Sequence, residues 1–486
     1  MPSTGERLRA LADLIGVEVH GSGDPLIRDA THDSRQVAAG TLFVAVKGFS
    51  TDGHRYLEQA VANGAVAAVV TDEVETTIPV LRVPDARAVM GSLAAAIHGH
   101  PSRQVPVIGV TGTNGKTTVT HMIEHILSTA GKAVGLVGTI HTRIGDDVIP
   151  ALHTTPEATD FQRMLRDMVD RGADVVAVEV SSHAMTLHRV DATWFGVVAF
   201  TNLSQDHLDF HHDMETYFEA KASLFDPERA ARGVIWVDDP WGSRLAASTS
   251  MDIVTVGREA DISVVIVEAD LSGTTVDLDL GGGTHRVRLP MAGTFNVENA
   301  AVAAGVCSVV GTADATIVEA LGSLPGVPGR FERVSGDDPI SVFVDFAHTP
   351  DGIAEVISAV RGLVDGRIIA VIGAGGDRDR EKRPHMGAAA SAADVVVVTS
   401  DNPRSEDPAA IIDAVMEGMH RDVRAMNLID RRVAISTAIA EASDGDAVVI
   451  LGKGHERGQE IAGFRYPFDD RIEARAALAA RRGHPA

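Results

Sequence analysis

The sequence predicts an α/β protein of three domains, and three observations carry that prediction. Apolar, β-branched runs alternate with helical patterns along most of the chain. Polar clusters of rare side chains recur directly after those runs, where open α/β sheets bind ligands. Two turn-rich stretches, around 100–104 and 325–330, interrupt the alternation and place the expected domains at 1–103, 104–329 and 330–486. The 486 residues suffice for two to four domains with sizeable cores.

The candidate strands come in order as TLFVAV (41–46), AVAAVVT (65–71), VPVIGV (105–110), DVVAVEV (174–180), GVVAFTN (196–202) and GVIWVDD (233–239). Later ones are SVFVDF (341–346), RIIAVIGA (367–374), DVVVVTS (394–400) and DAVVILG (446–452). Successive apolar residues mean that both faces are covered, as in parallel sheets. From Asp261 to Pro290 the pattern alternates and carries glycines, which predicts one antiparallel hairpin.

Charge and composition narrow the function. Lys plus Arg is 43 against 67 for Asp plus Glu, a formal charge of −24. That argues against nucleic-acid or anionic-membrane partners but leaves room for an anionic small substrate in a locally basic cleft. The single cysteine, Cys307, sits in a small-residue run and reads as a buried core thiol. It offers no intrachain disulfide, the N-terminus lacks a signal-peptide core, and no run reaches the ~20 apolar residues of a membrane span. The expectation is a cytoplasmic protein, a monomer, with small-molecule substrates.

The stretch TGTNGKTT (111–118) follows one apolar run and opens a helical pattern. Glycines 112 and 115 let backbone N–H groups turn towards an anion, and the helix N-terminus adds partial positive charge. Lys116 would sit on the outer phosphates and the Thr117 hydroxyl would reach Mg²⁺. The strict phosphate-loop pattern asks for glycine where Val110 stands, so only the tighter Gly112-x-x-Gly115-Lys116-Thr117 form is present. The alternative is an ordinary Gly-rich turn. Glu179, near the end of a strand, and His207, after one, are candidate hard-metal ligands beside that loop. Lys221, taken alone, is a surface lysine.

Ten ordered motifs then resemble the Mur ligase family: TGTNGKTT, EVSSHAM (179–185), TNLSQDHLDFH (201–211), YFEAKASLF (217–225), GTFNVENA (293–300), PGRFE (328–332), DFAHTPD (345–351), GGDRDREKRP (375–384), SDNPRSEDP (400–408) and LGKGHE (451–456). THDSRQVAAGTLFVAVKGFSTDGH (31–54) extends the resemblance to the first domain. It implies an N-terminal domain for a uridine nucleotide, a central P-loop-type ATPase domain with a mainly parallel sheet, and a C-terminal Rossmann-like domain. It also implies ATP-dependent amide ligation through an acyl phosphate, in peptidoglycan precursor synthesis.

Matched by position, Gly112, Thr113, Asn114, Gly115, Lys116, Thr117, Thr118, Asn299, Arg330 and Asp345 are the family's ATP-contacting residues. Thr117, Glu179, His207 and Lys221, the last as a CO₂-derived carbamate, match its Mg²⁺ site. Carbamylation turns a cation into an anion, which suits a metal that an ammonium would repel. Lys116, Glu179, His207 and Lys221 are the expected catalytic residues. Ser34, Phe49, Ser50, Thr51, His153, Thr154, Thr155, Ser181 and Arg189 match the muramyl-peptide nucleotide site. Leu187 stands where the family often has glutamine, and His153 where asparagine is common. Arg378, Asp401, Asn402, Pro403, Arg404, Gly452 and Glu456 match the site of the incoming amino acid. There Arg404 is expected to grip a distal carboxylate in two-point fashion and Glu456 to take an ammonium, which favours meso-2,6-diaminopimelate over lysine or ornithine. A lysine-adding ligase, another ligase of the superfamily, and a regulatory nucleotide binder on a catalytically dead scaffold are the alternatives.

Overall fold

The computed structural model describes residues 5–48, 51–151 and 153–483. Three large sheets follow one another along the chain, of five, eleven and six strands. The first spans 19–82: Asp29–Thr31, Thr41–Val44, Ala65–Val70 and Val80–Arg82 run parallel, and Val19–His20 closes one edge antiparallel. In the second, Val107–Thr111 lies between Val175–Glu179 and Phe195–Phe200, parallel to both. Val134–Val137 continues the parallel run on one side, and Ala230–Trp236 and Ile253–Gly257 on the other. The connections therefore diverge at Val107–Thr111, which puts a ligand crevice at its carboxyl end. The third sheet sets Ser341–Asp345, Ala447–Leu451, Ile368–Ala374, Val395–Ser400 and Arg424–Leu428 side by side in parallel.

Each of the ten expected strands is present, within a few residues of its expected limits. They are buried nearly end to end, as their unbroken apolar composition requires. The 261–290 segment departs from expectation. It forms three antiparallel strands, Ile262–Asp270, Gly273–Asp279 and Thr284–Leu289, and hence two hairpins. The first turn is set by Asp270, whose Oδ1 accepts from the N–H groups of Ser272 and Gly273. A local aspartate turn of this kind leaves no Gly-rich signature, whereas Gly281–Gly283 marks the second turn openly. The hairpin of His141–Ile144 and Asp147–Pro150 was also not legible, because its outer strand is exposed throughout and has no burial period.

Helices Lys116–Thr129 and Thr294–Val309 pack together on one face of the central sheet, with Val119, Met122, Ile123 and Ile126 against Val297, Ala300, Ala301 and Ala304. Cys307 is fully buried in that core, as its sequence context predicts. Helix Ala158–Asp170 ties the first two sheets together. Its Ala158 joins the N-terminal core, Arg163 pairs with Asp29, and Glu157 just before it accepts from Arg87. No described helix is long and apolar enough to cross a membrane.

Candidate active site

The carboxyl ends of the central and C-terminal sheets face one cleft of about 620 Å³. The loop after Val107–Thr111 forms its floor. Gly112 has φ +150°, and a side chain there would run into the Thr201 hydroxyl at 1.9 Å. Gly115 has φ +85°, and a Cβ would meet the Asn299 amide oxygen at 2.2 Å. These two glycines therefore serve close approach of neighbouring elements as well as the turn itself. The loop is held to the end of the next strand by Thr113 N–H on the Asn202 carbonyl (2.9 Å) and Asn114 N–H on Asn202 Oδ1 (2.9 Å). Lys116 Nζ donates to the carbonyls of Gly112 and Thr113 at 2.9 and 2.8 Å. Burial pulls its pKa below the usual lysine range, against the pull of Glu179 and Asp206.

Beside the loop, Glu179 is fully buried at the end of its strand. Its Oε1 accepts from Thr139 N–H (2.7 Å), and its Oε2 accepts from the hydroxyls of Thr139 (2.8 Å) and Thr117 (2.9 Å). Arg330 donates to the same Thr117 hydroxyl at 3.0 Å and lies over the Phe346 ring. Asp345 is occupied by backbone: it accepts from the N–H groups of Phe331 and Ala347. The Glu179 carboxylate, the Thr117 hydroxyl and the His207 imidazole share the cleft, and this oxygen-rich donor set fits Mg²⁺. His207 sits at a φ of +54°, its ring edge-on to His183. Burial holds its imidazole down to about 3, the neutral form a metal ligand requires. Its neighbour Asp206, to which the sequence assigns no role, is buried and faces His207 Nε2 (3.3 Å) and Lys382 Nζ (3.8 Å). A separate group of close-set His and carboxylate side chains, Asp52, His54 and Asp72, lies in the N-terminal part of the chain. There the His54 nitrogens are already engaged by Asp52 and by Thr71 N–H.

Lys221 is not a surface residue. It is 1% exposed, and its Nζ donates to the Gly112 carbonyl at 2.7 Å, the oxygen that Lys116 also uses. Burial, and then the nearby Lys116 charge, drive its pKa well below the ordinary value.

The expected nucleotide-peptide residues divide. His153, Thr154, Ser181 and Arg189 line the cleft. Arg189 pairs with Glu157 at 2.8 Å, and Ser181 caps the short helix Ser182–Thr186. Thr155 stands behind them, fully buried, and donates to the Glu179 carbonyl. Ser34 and Thr51 do not line this cleft: the Ser34 hydroxyl is turned to Gln59 (3.0 Å), and Thr51 meets the Tyr56 hydroxyl. Phe49 and Ser50 lie outside the described residues.

The residues expected to meet the incoming amino acid come from loops that lock together. Gly376 N–H donates to the Asn402 carbonyl, and Ser405 donates to Asp377. Arg378, Asp401, Asn402, Arg404, Gly452 and Glu456 all line the cleft, whereas Pro403 is buried beneath it. Arg404 adopts φ +52°, donates from Nη1 to the Gly376 carbonyl and pairs through its backbone with Glu460 and Ala462. Glu456 accepts from the ammonium of Lys453 (2.8 Å), a residue of the LGKGHE motif to which the sequence assigns no role.

Comparison with known proteins agrees with this geometry. Three family models match in chain order: "Mur ligase family, catalytic domain" over 27–101, "Mur ligase middle domain" over 110–307 and "Mur ligase, glutamate ligase domain" over 329–454. The chain belongs to the Mur ligase family. It is 45% identical over 484 residues to the UDP-N-acetylmuramoyl-L-alanyl-D-glutamate--2,6-diaminopimelate ligase of Gloeobacter violaceus, covering 98% of this chain and 99% of that one. It is 44% identical over 493 residues to the protein of the same name in Streptomyces coelicolor, covering 98% and 97%. A solved ligase of that name superposes with a TM-score of 0.68 at 33% identity, over 97% of this chain and 99% of that one. MurF from Acinetobacter baumannii shares the fold, with a TM-score of 0.71 at 19% identity over 99% of both chains.

Proposed function

We propose that this protein is an ATP-dependent ligase that joins meso-2,6-diaminopimelate to UDP-N-acetylmuramoyl-L-alanyl-D-glutamate. The observation that carries the reading is one cleft holding the phosphate loop, the His153–Arg189 group and the Arg378–Arg404–Glu456 group together. The names of full-length relatives support it. We assign residues 1–103, 104–329 and 330–486 to the nucleotide-peptide, ATP and amino-acid domains, each built around one of the three sheets. We further assign the protein to the cytoplasm, acting as a monomer.

A carboxylate acylates an amine only after it gains a leaving group. In the proposed reaction a carboxylate oxygen attacks the γ-phosphorus of ATP, the bond to ADP breaks, and an acyl phosphate forms. The amine nitrogen then attacks the acyl carbon, the C–O bond breaks, phosphate leaves and the amine gives up a proton. Gathering anions in this way is unfavourable, and Lys116 and Arg330 offset the charge at the phosphates. Thr117, Glu179 and His207 would hold Mg²⁺, which as a Lewis acid neutralises phosphate oxygens. Burial, and then the charge of Lys116, favour the neutral amine of Lys221, the form that adds CO₂ to give a carbamate. Arg189, held by Glu157, orients the acceptor peptide. Arg404 and Arg378 receive the distal carboxylate of the incoming amino acid, and Glu456 receives its ammonium.

The test measures phosphate release with the muramyl dipeptide nucleotide and each of meso-diaminopimelate, L-lysine and L-ornithine, with mass detection of the product. Preference for lysine or ornithine removes the substrate assignment. Nucleotide binding without phosphate release under every condition favours a regulatory protein instead.

A further inference from the structure

Lys453 lies at the centre of the proposed amino-acid site and is completely buried. Its ammonium has three acceptors: Asp401 Oδ1 at 3.3 Å, Asn402 Oδ1 at 3.1 Å and Glu456 Oε2 at 2.8 Å. An ammonium has three N–H bonds, so this charge is fully satisfied, and every partner is a residue assigned to the substrate.

The consequences spread through the site. Asn402 Oδ1 accepts from Lys453 and from Glu460 N–H (3.0 Å), while its Nδ2 donates to Glu456 Oε2 at 2.8 Å. The amide is therefore fixed in one orientation. Glu456 Oε2 is held twice, and Oε1 has no hydrogen-bond partner among the described residues although the side chain is 32% exposed to the cleft. Two carboxylates, Asp401 and Glu456, are drawn to one cation. Without that cation they would repel each other in a partly dry pocket.

We propose that Lys453 is the positioning residue of the amino-acid site: by binding Oε2 of Glu456 it fixes Oε1 for the ammonium of the incoming diamino acid, and by binding Asn402 it fixes the loop that carries Arg404. The proposal rests on the ligase reading above. Lys453 touches no substrate in this scheme and acts through Glu456 and Asn402. Its loss falls on recognition of one substrate out of three.

Steady-state kinetics of Lys453→Met, Glu456→Gln and the double variant test this, each with the three substrates varied in turn. Lys453→Met is expected to raise KM for meso-diaminopimelate about 100-fold, the scale at which small misplacements act. KM for ATP and for the muramyl nucleotide should stay within about 2-fold, because both bind other parts of the cleft. In the Glu456→Gln background the same substitution should cost less than about 5-fold, since the group it positions is already altered. The double variant also removes both charges together, so it remains informative where the single one does not fold. An equal rise in all three KM values, or an additive double variant, assigns Lys453 to general stability and overturns the proposal. Native protein that turns over no diamino acid removes the ligase reading, and the proposal with it. Native turnover with an unmoved Lys453→Met removes the proposal alone.

Discussion

Lys221 and Lys453 are both buried, and their surroundings could hardly differ more. Lys221 meets one carbonyl, the face of the Tyr217 ring at 4.6 Å and the charge of a second lysine that shares its carbonyl. Lys453 meets two carboxylates and an amide oxygen. The first environment disfavours the ammonium, while the second is built around it. Under the proposed function, Lys221 is the side chain open to carbamylation, beside the loop proposed to hold phosphate. Lys453 is instead a fixed cation among the residues proposed to receive the amino acid. A buried lysine has no set chemistry until the atoms around it are known.

The comparison can be broken first at the carbonyl that two lysines share. Lys116→Ala is expected to lower phosphate release and ligation by about 10³-fold or more, because it removes the charge nearest the transferred phosphate. Circular dichroism should show an intact fold, since Lys116 lines the cleft and belongs to no hydrophobic core. A folded variant with near-normal turnover would falsify the loop assignment.

Next comes the modification of Lys221. Lys221→Ala should reduce turnover roughly 10²-fold, and native protein held in ¹³C-bicarbonate should show a carbamate carbon signal that the variant lacks. An alanine variant of full activity, with no such signal in the native protein, would remove the contrast between the two lysines.

At the other end of the cleft, Arg404→Ala should narrow the preference for meso-diaminopimelate over L-lysine, which a polar reader sustains at about 10⁴-fold. KM for ATP should not move. Unchanged preference would shift the reading of the distal carboxylate to Arg378.

The smallest expected effect concerns acid stability. Burial holds the imidazoles of His211 and His455 down to about 4 and about 3. Unfolded, they titrate near 6.5. Between those values the unfolded chain binds protons that the native one does not, so stability is lost as pH falls. The melting temperature should drop between about pH 6.5 and 4.5, and His211→Asn should flatten that drop. A melting temperature independent of pH in this window would contradict the burial of both rings.

The sequence by itself determined the class, the ten strands, the place of the glycine-lysine loop between strand and helix, and the motif positions of most cleft residues. Those signals are local: an apolar run buried on both faces, or glycines and a lysine between a strand and a helix, is complete within a dozen residues. The first hairpin of 261–290 was hidden because an aspartate side chain, rather than a run of glycines, sets its turn. Tertiary structure alone decided that Ser34 faces Gln59 rather than the cleft, that Asp206 joins the site, that Lys221 is buried and that Lys453 has three acceptors. Each depends on groups far apart in the chain, Lys221 on Gly112 and Lys453 on Asp401. Burial and electrostatic pairing are set by distance in space, which residue order does not encode locally.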